Sequence, residues 1–252
     1  MIYDLLPSSV YIVLIIFVRL GGAIMLLPGF GESYVSPKAR LGLSILICLV
    51  IAPVLASKIP PLPEKVSDLG LLIFGEALIG LFMGTVARLF LSATASAGMI
   101  AANLSSLANA LIQDPTAEQQ ASIMGTFMSA VAIVLIFVLD IHHLFIQGLV
   151  DSYDLFLPGQ AIPTGDFSNM ISRVVGDTFQ LAARMAAPFI VIGVIFFIGL
   201  GLLAKLMPQM QVFFIAMPLQ VAMGIVVLAL SLPVMIRVFL VSLEEHWMVF
   251  VR

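Results

Sequence analysis

The sequence predicts an all-α, hydrophobic, multi-helix membrane-associated protein, and three observations predict it. Apolar residues make up 62% of the 252-residue chain and charged residues only 10%, against about 45–50% and about 25% in soluble domains. The mean hydropathy is +1.18. The apolar residues also fall into runs near the roughly 20 residues that a helix needs to cross a bilayer. With 14 acidic and 11 basic residues and a net charge of −3, too little charge is present to cover a water-facing surface. That excludes a soluble enzyme, a disordered tail, and a nucleic-acid module, which would need a basic face.

The elements follow in order. Residues 9–28 carry one charge, Arg19, and end at Pro28-Gly29. Met1-Ile2-Tyr3-Asp4 places an acid where a signal peptide has its basic region, so the first helix is expected to be retained. Residues 41–57 are uncharged, follow a turn with Lys38 and Arg40, and stop before a proline-rich stretch at 59–63. Residues 69–87 contain only Glu76, and Arg88 opens a further uncharged run, 89–113. A polar break from Gln113 to Gln120 precedes the apolar run 121–139 and a shorter helix, 144–156. Residues 157–165, rich in Pro and Gly, read as a linker. Two long segments close the chain: 167–206, apolar from 185, and 209–241. At face value the profile allows five to seven spans and leaves no sizeable soluble domain.

The charges fit an ordinary multispanning topology poorly. Lys38 and Arg40 place the 29–40 loop in the cytoplasm, but alternation then sends Lys58 and Lys65 outward, and the overall bias is weak. Arg19, Glu76, Arg88, Asp177, Arg184 and Lys205 interrupt otherwise apolar helices, where a charge is costly unless it faces protein or water. They do not cluster on one helix, which favours ion pairs and caps over a proton or ion relay. Between 92 and 110, small residues recur at 93, 97 and 101 and again at 98, 102 and 106. That spacing allows close helix contact, while the hydroxyls and amides of the same stretch leave a wet passage as the rarer reading.

Chemical sites are scarce. The single cysteine, Cys48, lies in an apolar run and reads as a small buried hydrophobe. Asp140, His142 and His143 raise a metal, but adjacent histidines project about 100° apart on a helix, and no second His or carboxylate cluster accompanies them. They read as a polar helix end. No nucleotide, hydrolase or metalloprotease motif is present, so neither an enzyme nor a cofactor is expected.

The segment Met207-Pro208-Gln209-Met210-Gln211-Val212-Phe213, followed by Pro218-Leu219, resembles the signature joining the last two helices of the FliR family. That family supplies the R subunit of the bacterial flagellar export gate, and injectisome proteins share its superfamily. Proline suits the first turn of a helix, and Pro218 is expected to kink the helix that follows. Three other segments agree in order and spacing: the basic turn from Pro37 to Leu43, the Glu76…Gly80…Gly84 helix, and Asp114-Pro115 after the small-residue helix. The resemblance covers nearly the whole chain.

The resemblance implies a core subunit of the flagellar type III export gate in the bacterial inner membrane and the flagellar basal body. Residues 1–165 would be P-subunit-like and 166–252 a Q-subunit-like hairpin, with long kinked hairpins packed in a helical hetero-oligomer. The implied partners are P and Q subunits, the B-type switch subunit, lipid, and the unfolded flagellar proteins that pass through the channel. Glu76, Gly80, Gly84, Pro208, Gln209, Phe213 and Pro218 become packing candidates. Leu107, Leu111, Ile112, Gln113, Asp114 and Pro115 become plug candidates. Some relatives have an aromatic residue just before Asp-Pro; here Ile112 and Gln113 precede it, so any seal would rely on aliphatic dewetting. An injectisome homologue is the nearest alternative. A small-molecule secondary transporter is the alternative of another class, but no convincing inverted repeat supports it.

Overall fold

The computed structural model describes residues 8–107, 122–160, 164–207 and 212–251. Its elements are helical throughout: α1 (Ser8–Ile24), α2 (Pro37–Leu55), α3 (Val66–Leu104), α4 (Ile123–Val138), α5 (Ile141–Leu155), α6 (Thr164–Leu206) and α7 (Val212–Trp247), with 3₁₀ turns at Ala56–Lys58 and Met248–Phe250. The all-α expectation holds.

Local chemistry sets several boundaries. The Ser36 hydroxyl accepts the Ala39 amide at 3.2 Å and caps α2, and Pro37 occupies the first turn, where its missing N–H goes unneeded. Arg40 donates from Nη2 to the carbonyls of Glu32 (2.9 Å) and Val35 (3.0 Å), holding the turn before α2. The predicted break at Arg88 does not occur. Residues 66–104 form one 39-residue helix, because Arg and its neighbours Ala87 and Leu89 are good helix formers. The exposed guanidinium turns outward to the Gly31 carbonyl (3.4 Å) and Glu32 (3.7 Å). Joining those two runs lowers the span count. Among the described residues four helices are long and apolar enough to cross a membrane, or five if α4 and α5, bent by 74°, count as one.

At 1.5 Å per residue, α3, α6 and α7 are about 58, 64 and 54 Å long, well beyond a hydrocarbon core of about 30 Å. Their prolines do not end them. Pro188 lies inside α6, and Pro218 and Pro233 lie inside α7.

The chain packs as two compact units, the first Met1–Leu89, Ile136–Val174 and Leu243–Arg252, the second Phe90–Leu135 and Val175–Ser242. In the first, Tyr11, Ile15, Leu62 and Leu72 form a buried cluster. The buried Trp247 packs edge-to-face on Phe145 at 5.0 Å and donates from Nε1 to the Leu144 carbonyl at 2.9 Å. In the second, Ala93, Ala97 and Ala101 are buried. A Cβ on Gly98 would stand 2.5 Å from the Gly125 Cα, so α3 and α4 meet backbone to backbone there. The small-residue spacing is thus used for close packing.

The apolar windows of α2, α6 and α7 are only 22%, 22% and 28% buried, against 44% for α3. Leu46, Val50, Ile195, Leu202 and Leu230 are among the aliphatic side chains left outward.

Two glycines test this packing. A Cβ at Gly148 would lie 2.5 Å from the Trp247 Nε1, whereas one at Gly176 meets nothing within 4 Å. Gly148→Ala should destabilise the protein by about 1–3 kcal/mol through overpacking. Gly176→Ala should stabilise it by up to about 1 kcal/mol through helix propensity. Thermal unfolding of the detergent-extracted protein separates them.

Candidate functional site

Two polar constructions stand out in an otherwise apolar chain, one in each unit. In the first unit, Arg19 of α1 and Glu76 of α3 are both fully buried. The guanidinium grips the carboxylate with two bonds, Nε to Oε2 at 2.6 Å and Nη2 to Oε1 at 2.9 Å. Its remaining N–H groups reach the end of α5. Nη1 donates to the Ser152 carbonyl (3.1 Å) and hydroxyl (3.2 Å), and Nη2 donates to the Phe156 carbonyl (2.9 Å). All five guanidinium donors therefore have an acceptor. The Tyr153 ring covers the cation, its centroid 3.9 Å from Cζ, adding a cation–π contact in a dry site. Lys58 and Asp154, 2.7 Å apart, tie the turn after α2 to the same end of α5 at the surface.

The glycines of the Glu76…Gly80…Gly84 pattern serve this pair. A Cβ on Gly80 would collide with the Arg19 carbonyl, and one on Gly84 would lie 2.8 Å from the Ala23 carbonyl. Without side chains at these positions, α3 lies directly on the α1 backbone, close enough for the short Glu76 carboxylate arm to reach Arg19. Sequence reasoning identified Glu76, Gly80 and Gly84 but did not pair Glu76 with Arg19. Its expectation of ion pairs rather than a relay fits the pair found here. Arg184 and Lys205 are exposed.

In the second unit the polar groups gather where α3 ends. The Ser105 hydroxyl donates back to the Ala101 carbonyl at 2.7 Å. Gln220 of α7, nearly fully buried, donates from Nε2 to the Leu104 carbonyl at 2.7 Å, capping a carbonyl that the finished helix leaves free. A Cβ on Gly224 would collide with the Ser105 side chain, so α7 meets the end of α3 closely. Gln220 and Gly224 were given no role from the sequence, although they lie four residues apart, on one helix face, just after Pro218-Leu219. Leu107 and Ile123 line one apolar hollow of about 220 Å³ with Ala102, Met124, Phe127 and Leu228. The chain therefore leaves α3 and enters α4 at the same place. Leu111, Ile112, Gln113, Asp114 and Pro115 lie outside the described residues, as do Pro208 and Gln209. Phe213 is the second residue of α7, and Pro218 is an exposed position within it.

Breaking one side of the buried pair should cost more than removing both. Arg19→Met strands the Glu76 carboxylate and should destabilise by about 3–5 kcal/mol. Arg19→Met combined with Glu76→Leu should recover most of that loss. A double-mutant cycle on thermal unfolding measures the difference, and equal losses in the single and double variants would contradict it.

Comparison with known proteins follows the same chain order. The model of the family described as bacterial export proteins, family 1, matches residues 10–246. The chain is 35% identical over 224 residues to the flagellar biosynthetic protein FliR of Caulobacter vibrioides, covering 89% of each chain. It is 28% identical over 236 residues to the FliR protein of Bacillus subtilis, covering 92% of this chain and 89% of that one. The Yop proteins translocation protein T of Yersinia pestis is 26% identical over 237 residues, with 91% and 89% covered. A match across all seven helices, with relatives that align over nearly their full lengths, places this chain in the family of bacterial export proteins, family 1.

Proposed function

We propose that this chain is a core subunit of the flagellar type III export gate, a multi-pass inner-membrane protein of the flagellar basal body that helps form the channel for unfolded flagellar proteins. The observation that carries this reading is the family match over residues 10–246. The flagellar assignment is preferred to an injectisome one because the FliR protein of Caulobacter vibrioides is 35% identical, whereas the Yersinia pestis translocation protein is 26% identical.

The chain acts by conducting, with no reaction of its own, and other components supply the energy. Its partners are the P and Q gate subunits and the B-type switch subunit, with residues 1–165 standing for a P-like part and 166–252 for a Q-like hairpin. The outward aliphatic faces of α2, α6 and α7 support this. Helices of about 54–64 Å carry more apolar surface than a bilayer of about 30 Å covers, and neighbouring subunits take up the excess. Gly80, Gly84 and Glu76 shape one assembled helix pair. Pro208, Gln209, Phe213 and Pro218 shape the hairpin between α6 and α7.

The segment between Leu107 and Ser122 is the plug. Leu107 before it and Ile123 after it line the same small hollow, so the segment starts and finishes at one place on the helical scaffold. Leu111 and Ile112 seal by excluding water, with Gln113, Asp114 and Pro115 beside them in the sequence. The end of α3 is the fixed base of the plug, held by the Gln220 amide.

Two measurements on the reconstituted gate test this reading. Deleting residues 108–118 should raise ion conductance in planar bilayers while the complex still assembles; unchanged conductance would argue against a sealing role. Gln220→Leu removes one capping hydrogen bond, of the order of 1 kcal/mol, and should give a smaller rise in conductance with assembly intact. A stable monomer whose loss leaves flagellar export normal would overturn the proposal as a whole.

A further inference from the structure

The elbow between α4 and α5 carries a cluster to which the proposed function assigns no role. Asp140, His142 and His143 each offer a ligand atom, and these atoms all lie within 4.8 Å of one another. The projection of adjacent histidines about 100° apart argued against such a gathering, but the imidazole arms fold back together, their ring centroids 4.1 Å apart. His143 Nδ1 lies 3.6 Å from Asp140 Oδ1, too long for a good hydrogen bond. It is close to the roughly 3.4 Å that separates two ligands on one tetrahedral cation with arms of about 2.1 Å.

A separate observation concerns His142. Its Nδ1 is screened from solvent and has no hydrogen-bond partner, while its ring stacks on Phe137 at 5.0 Å. A buried imidazole nitrogen without a partner calls for an explanation, and a bound ion is one. Asp140 and His143 are the adaptable members: their side chains are 75% and 69% exposed, so no close packing holds them at the 4.8 Å spread. The Asp140 carboxylate is also uncommitted as a helix cap, since it makes no capping hydrogen bond to α5.

We infer that the α4–α5 elbow is a binding site for one divalent transition cation of the zinc class, held by His142, His143 and Asp140. Two imidazoles and one carboxylate suit Zn²⁺ better than Mg²⁺ or Ca²⁺, which prefer all-oxygen sets. Three protein ligands leave the fourth position to water. All three ligands sit at the 74° bend, so the cation would clamp the elbow to the first turn of α5. The inference does not rest on a role in export.

The test uses the full chain, extracted in mild detergent and stripped with a chelator. Zn²⁺ is titrated against a chromophoric competitor, with Mg²⁺ as the control. One Zn²⁺ per chain should bind saturably, Mg²⁺ should not compete, and the thermal midpoint should rise with Zn²⁺. His143→Ala and Asp140→Asn should each weaken binding by at least about tenfold, and His142→Ala combined with His143→Ala should abolish it. The third histidine, His246, serves as the internal control, and His246→Ala should bind Zn²⁺ as the parent does. X-ray absorption at the zinc edge should report two imidazole ligands. No saturable binding, or equal binding by the double-histidine variant with its unliganded melting curve unchanged, would overturn the site.

Discussion

The bonding of the Arg19 guanidinium is the constraint around which the first unit is arranged. A cation with no access to water is tolerable only if its donors are satisfied and a counter-charge lies beside it. Glu76 supplies the charge, and Ser152 and Phe156 supply the remaining acceptors. Because these groups come from α1, α3 and the end of α5, one side chain fixes the mutual register of three segments far apart in sequence. Apolar packing alone tolerates sliding by part of a turn; a bidentate pair of 2.6 and 2.9 Å does not. The backbone contact at Gly80 and Gly84 follows from the same requirement.

The second unit solves a different problem with weaker groups. Among the described residues, no ion pair holds the end of α3. A hydroxyl, an amide and a glycine do the work through Ser105, Gln220 and Gly224. Neutral contacts of this kind hold a helix end firmly without burying charge there.

Much of this was legible in the sequence for definite reasons. The all-α class and the close contact along Ala93, Ala97 and Ala101 follow from hydropathy and small-residue spacing, both local properties, while the turn at Pro37 came with the family resemblance. Glu76, Gly80 and Gly84 stood out because they match a helix pattern of the family resembled, in which the four-residue spacing places them on one face. The identity of the partner for Glu76 did not, because 57 residues separate it from Arg19 and no periodicity links two helices. The break expected at Arg88 failed because a charge in an apolar run was read as a boundary, although a helix loses little by carrying an exposed arginine. The histidine pair was discounted by backbone projection, which ignores how far an imidazole can reach. Gln220 was missed for a similar reason: its significance lies in a carbonyl 116 residues away.

The great length of α3, α6 and α7 has a consequence for the cell. In the proposed assembly, a newly made copy that has not met its neighbours displays aliphatic side chains that its own fold leaves uncovered, among them Ile195, Leu202 and Leu230, along helices longer than a bilayer's hydrocarbon core. Such an orphan presents what membrane quality-control proteases and holdase chaperones recognise. Its lifetime is then governed by how quickly it is captured into a complex, so the abundance of this subunit would track the supply of its neighbours more closely than its own rate of synthesis.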